Sequence, residues 1–206
     1  EAIAQELDKT EVMRNILQTS ELTDTITKIK VKLMQVKDVR GTANRVTESQ
    51  ILDDIELFEL KAFSLLVVEM RELLLSANIT VVSLPDLEPV VNILDPEKMR
   101  IPHFYVYDAY SPELAALRAK MKTLKMDEKT EERVLDQLQF EHTELEDQIR
   151  EKLSEQIHPY KKEINEALTN TATLDILLAK AQQTIDMQLC KPEISSGTTR
   201  YIKIFN

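Results

Sequence analysis

EERVLDQLQFEHTELEDQIREKLSEQIHPYKKEINEALTNTATLDILLAKAQQTIDM, residues 131–187, carries Leu135, Leu138, Leu145, Ile149, Leu153, Ile157, Ile164, Leu168, Leu174, Leu178 and Ile185 along one helical stripe. Apolar residues recurring every three to four positions, with charges between them, predict an amphipathic helix. Unbroken, the stretch would span on the order of 80 Å at the helical rise per residue. Pro159 should kink it, because proline removes one helical hydrogen bond and its ring crowds the preceding turn.

Upstream, Ser111-Pro112-Glu113 reads as a helix start. Serine accepts backbone amides as N-cap, proline suits the first helical position, and the glutamate charge favours the positive end of the helix dipole. Leu114, Leu117, Met121 and Leu124 then mark an apolar seam, and Asp127 to Thr130 is the expected place of a tight reversal or a break, with Asp127 or Thr130 able to cap a new helix. The two stretches together predict a long antiparallel helical arm, a coiled-coil hairpin, over residues 111–190.

Residues 1–110 read as a helical body with a proline-marked base. A first helix is expected around Ile3 to Leu17. A second carries Leu22, Ile26, Ile29, Leu33 and Val36 and ends near Gly41. A third, from about Glu48 to Asn78, has Ile51, Leu52, Ile55, Phe58, Phe63, Leu66, Val67, Met70, Leu73 and Leu74, a face broad enough to be buried on more than one side. Pro85, Pro89, Pro96, Pro102 and Pro112 break the chain beyond it, and Phe104-Tyr105-Val106-Tyr107 is β-prone. The tail, 191–206, ends in the strand-like Tyr201-Ile202-Lys203-Ile204-Phe205, which reads as the first strand of a following domain. The expected class is therefore all-α: a helical-bundle body, a long helical arm, and minor β at the base and in the tail.

Composition limits function. Among 206 residues there are only two glycines, Gly41 and Gly197, whereas phosphate-binding loops of the P-loop, Rossmann or kinase type gather several in one short turn. No such loop can be built. A net charge of −10 disfavours a chain whose main task is gripping nucleic acid. No apolar run approaches the roughly 20 residues needed to cross a bilayer, and no signal stretch opens the chain, so a soluble, cytoplasmic protein without membrane contact is expected. The start at Glu1 rather than at methionine points to an excised or processed chain.

No catalytic, cofactor or metal site is expected. His103, His142 and His158 have no i,i+4 partner and no nearby cysteine, so surface or capping roles are anticipated. Asp53-Asp54 and Glu131-Glu132 point apart on a helix and read as solvated faces. Cys190 reads as a packed thiol, since no base accompanies it. Arg118, Lys120, Lys122 and Lys125 form the one basic cluster that could contact phosphate, although Asp127, Glu128, Glu131 and Glu132 follow directly and offset its field.

Five stretches in order resemble the core and lever region (domain III) of the MutS family of mismatch-repair ATPases, in particular the shorter bacterial MutS-like proteins lacking a mismatch-reading N-terminus. They are Ile51-Leu52-Asp53-Asp54-Ile55-Glu56-Leu57-Phe58-Glu59-Leu60-Lys61, Leu94-Asp95-Pro96, Tyr110-Ser111-Pro112-Glu113-Leu114, Leu174-Asp175-Ile176-Leu177-Leu178-Ala179-Lys180-Ala181 and Cys190-Lys191-Pro192-Glu193-Ile194. The resemblance implies a non-enzymatic lever that couples nucleotide state to DNA engagement. It further implies a C-terminal ATPase domain of the same polypeptide beyond Phe205 that holds ATP and Mg, and DNA contact through a full-length homodimer. It departs from the family at the arm's tip, where Lys125 to Glu131 leaves no room for the β-rich clamp of many relatives, so little or no direct DNA contact is expected here. The alternative is a free-standing helical adaptor that binds partner helices.

Overall fold

The computed structural model describes residues 2–125 and 132–192. The expected reversal at Asp127 to Thr130 and the expected tail strand at 201–205 lie outside the described residues. Among the described residues eight α-helices follow in order: α1 (Ala2–Gln18), α2 (Thr23–Leu33), α3 (Arg40–Thr47), α4 (Asp54–Ser76), α5 (Glu88–Leu94), α6 (Pro112–Lys125), α7 (Glu132–Ile157) and α8 (Lys161–Asp186). No strand occurs among the described residues, so the fold is all-α, and no helix there is long and apolar enough to cross a membrane.

Helix α4 is the central element. Leu57, Leu60, Phe63, Leu65, Val67, Val68, Met70 and Leu74 are buried around much of its circumference, as its broad apolar pattern requires, and α2, α3, α5 and α8 all pack on it. It starts later than the periodicity suggests. Asp53 caps it in a capping box, accepting from the Glu56 amide at 2.9 Å while Glu56 Oε2 accepts from the Asp53 amide at 2.9 Å. That reciprocal pair fixes the start and leaves residues 48–53 as a connection.

Gly41 does not end the second helix. Helix α2 stops at Leu33, and Gly41 lies in the first turn of α3. Three helices stop without glycine, on a left-handed residue: Ser49, Asn78 and Gln188 have φ of 58°, 53° and 52°. Each is followed by an amide that reaches back to close a Schellman motif, Gln50 to Arg45 O (3.0 Å), Ile79 to Leu74 O (2.9 Å) and Leu189 to Thr184 O (2.9 Å).

Pro159 interrupts the long helix for a single 3₁₀ turn, His158–Tyr160. The backbone stays right-handed at Ile157 (φ −80°, ψ −33°) and Lys161 (φ −54°, ψ −35°), so α7 passes into α8 instead of folding back on it. The result is one helical element of 55 residues, 132–186. Ile149, Leu153, Ile157, Ile164, Ala167, Leu174, Leu178 and Ala181 belong to the main core, and α8 packs on α1 and α3. Much of the 111–190 segment is thus built into the body. Only its outer part, where α6 pairs with α7, keeps a seam of its own: Met121 and Leu138 are buried but stand outside the main cluster.

Phe104–Tyr107 is not a strand. Its side chains alternate as a strand's would only in part, with Phe104, Val106 and Tyr107 buried and Tyr105 exposed. Carbonyls just before and within it are claimed by side chains, His103 O by Lys61 and Val106 O by Arg118, where a strand would need a neighbouring backbone. Cys190 is exposed, contrary to the packed thiol expected, because the left-handed turn at Gln188 carries the chain off the end of α8.

A Cβ at Gly41 would meet nothing within 4 Å. Since glycine costs about 0.5–1 kcal/mol relative to alanine within a helix, Gly41→Ala should raise the urea midpoint, with a gain of about 0.5 kcal/mol at this first-turn position. An unchanged or lowered midpoint would show that the turn is not limited by backbone entropy.

Candidate functional site

A connected set of polar groups lies where the arm leaves the body. The innermost is Lys61, on the buried face of α4 and fully shielded from solvent. A buried ammonium is tolerated only if its three protons are taken up. Here they are: Nζ donates to Asp95 Oδ1 at 3.0 Å, to the His103 carbonyl at 2.8 Å and to the Tyr107 hydroxyl at 3.1 Å. The Tyr107 hydroxyl donates onward to His103 O at 3.0 Å.

Asp95, also buried, is held from its other side by the Arg100 amide, 2.7 Å from Oδ2. Burial alone would push its carboxyl up, but the Arg100 amide and the Lys61 ammonium outweigh this and hold it below the usual carboxylate range. The same carboxylate shapes the loop after α5. Lys98 and Arg100 take positive φ, 54° and 50°, an arrangement that persists only where the surroundings impose it. Phe104, Tyr107 and Tyr110 close over the cluster with ring centroids 5.8–6.5 Å apart, and the Tyr110 hydroxyl donates to Ile93 O at 3.0 Å.

One layer outward, Arg118 of α6 spreads its guanidinium over four acceptors. Nη1 donates to Val106 O at 2.7 Å and to Asp108, Nη2 to Glu146 Oε1 at 2.8 Å, and Nε to His142 Nε2 at 3.1 Å. Burial opposes its charge, yet Asp108 and Glu146 stabilise it further. Arg150 of α7 continues the layer. It pairs with Asp54 at 2.8 Å, with Asp147 at 2.6 Å and with Glu146 at 3.3 Å, so that α7 is joined to the first turn of α4. Ser154 adds a hydroxyl that accepts from the Leu52 amide at 2.9 Å, and His158 Nδ1 lies 2.9 Å from Val46 O.

The basic cluster is therefore dispersed. Arg118 is engaged within the protein, while Lys120, Lys122 and Lys125 are exposed on α6. At about 100° per residue, Lys120 and Lys122 point roughly 160° apart, so the three lysines do not form one patch. Asp53 and Asp54 are a helix cap and an ion-pair partner. Asp53-x-x-Glu56 is the sequence signal that marks the cap, and nothing local marks Asp54 as the partner of a residue 96 positions away. Among the described residues no group of three or more His, Cys, Asp or Glu side chains is placed to hold a metal ion. The arrangement binds elements together.

No protein-family model matches this chain, and no curated protein matches it.

Lys61→Met should cost about 3–5 kcal/mol, because it leaves a buried carboxylate unpaired. Adding Asp95→Asn should cost much less than a second loss of that size, and strict additivity in a double-mutant cycle would show that the pair is not coupled. Because the folded Asp95 titrates below its unfolded value of about 3.8, its contribution is present above that pH and lost as the pH falls through the folded value. Acid denaturation followed by circular dichroism should accordingly show a less steep loss of stability with falling pH in the Lys61→Met/Asp95→Asn variant than in the parent, and equal slopes would show that Asp95 contributes nothing.

Proposed function

We propose that this chain is the non-catalytic core and lever segment of a MutS-like DNA-transaction ATPase, which couples the nucleotide state of an ATPase domain to DNA engagement. The observation that carries the reading is the 55-residue element 132–186, which runs from the outer arm into the body and stays helical across Pro159. A continuous helical element with one end outside the core and the other packed on α1 and α3 suits the transmission of a displacement better than it suits chemistry. The stretches that carry the resemblance support the same reading. Lys61 and Asp95, from two of them, form the buried pair, and Tyr110 to Leu114, a third, opens α6.

ATP and Mg belong, in this reading, to the ATPase domain and not to this segment. DNA is contacted by the homodimeric parent, with Lys120, Lys122 and Lys125 too dispersed, in a chain of net charge −10, to hold phosphate by themselves.

Two measurements test this. The reading frame downstream of Asn206 should run into a GxxxxGK[ST] motif, and a stop codon at that point ends the proposal. Fluorescence anisotropy with duplex DNA at physiological salt should show no binding by this chain, whereas a dissociation constant in the micromolar range or tighter would put DNA contact in the arm itself.

A further inference from the structure

His142 lies on α7 at the level where the arm's own seam meets the main core, half-buried against Arg118. The Arg118 Nε–H can donate to His142 Nε2, at 3.1 Å, only if that nitrogen carries a lone pair. The imidazole must then be neutral, with its proton on Nδ1. The same Nε2 also lies 3.4 Å from Glu146 Oε1, and that oxygen is the one Arg118 Nη2 holds at 2.8 Å. Neutral and protonated imidazole therefore match different partners in an unchanged set of atoms.

From this geometry we infer that His142 is a proton-operated latch on the base of the arm. When a proton from solvent occupies Nε2, the Arg118 Nε–H loses its acceptor and two cations face each other across the former hydrogen bond. The imidazolium donates instead to Glu146 Oε1, an i,i+4 contact within α7, and competes with Arg118 for it. One link between α6 and α7 is lost and the other is shared, while one contact inside α7 is gained. Arg118 keeps Val106 O and Asp108, so α6 remains tied to the 103–110 segment while its hold on α7 weakens.

The charged groups around His142 are consistent with this exchange. Arg118 faces it from α6 and Glu146 from its own helix. Asp108 acts on it through Arg118, and Arg150, itself paired with Asp54 of α4, acts through Glu146. Helix α5 also packs on α7, but its one charged side chain, Glu88, is directed to Arg100. The latch stands on these contacts whether or not the lever reading holds.

The test uses the whole chain. Nitrogen-15 spectra of the imidazole at pH 7.5 should show His142 protonated on Nδ1 and bare on Nε2. Hydrogen exchange, corrected for intrinsic rates, should then show protection of the α6 amides, 112–125, falling by roughly three- to tenfold between pH 7.5 and pH 5, the range lost with one hydrogen bond of ordinary strength. In His142→Gln, whose side-chain oxygen accepts from Arg118 but does not titrate, that fall should be absent. A proton on Nε2 at pH 7.5 overturns the inference, and so does an α6 protection that does not change with pH or that falls equally in the glutamine variant. The spectra of the unaltered chain decide the tautomer even if the variant does not fold.

Discussion

A single buried ammonium organises the base of this molecule. Lys61 lies on the face of α4 that packs inward, where an unpaired charge would be untenable, and its three protons dictate what must surround it. One partner, Asp95, ends α5. The others, His103 O and the Tyr107 hydroxyl, lie in the segment that leads to α6. The proline-broken stretch from 95 to 110 has few backbone hydrogen bonds of its own, and it is ordered because it must satisfy a charge on a helix more than thirty residues upstream. The cost of leaving that charge unpaired, several kcal/mol, is what makes the segment's path specific.

The outer layer depends on this inner one. Arg118 can bridge Val106 O, Asp108, His142 and Glu146 only because the 103–110 segment is already fixed over Lys61. Arg150 then links the same region of α7 to Asp54, in the first turn of the helix that carries Lys61. The two layers form a closed path of ion pairs and hydrogen bonds through α4, the 95–110 segment, α6 and α7, so the arm's root is set by groups from four parts of the chain.

What was legible in the sequence follows from the range of the interactions involved. The seam from Leu135 to Ile185 and the Ser111-Pro112 start are encoded by residues a few positions apart, and the structure has them: Leu138, Ile149, Leu153, Ile157, Ile164, Leu174 and Leu178 are buried, and Ser111 Oγ accepts from the Leu114 amide at 3.2 Å. The start of α4 was readable in principle from Asp53 and Glu56, but periodicity alone extends the helix through residues 48–53, because Ile51 and Leu52 continue the apolar pattern. Gly41 misleads for a related reason: glycine commonly follows a helix, yet here Ser49, Asn78 and Gln188 take the left-handed positions that it would otherwise fill. The site itself was not legible. Lys61–Asp95, Arg118–Glu146 and Arg150–Asp54 join residues 34, 28 and 96 positions apart, and no local pattern distinguishes such a lysine or arginine from one on a solvated face.

The position of the polar layer has a consequence for how the arm can sit. An apolar seam of leucines tolerates sliding, since one methyl-rich turn resembles the next. Met121 and Leu138 alone would not select a register between α6 and α7. Arg118 does, because its planar fork meets Glu146 and His142 of α7 at fixed offsets while Val106 O and Asp108 hold its other edge, and a slip of one turn along α7, about 5.4 Å, would strand both α7 partners. A polar group within an otherwise apolar interface is best attested in that role, fixing register at some expense in stability. Because the same layer contains His142, an imidazole that accepts from Arg118 only while Nε2 is bare, the feature that fixes the arm's register is also the feature through which its hold on the body can be altered.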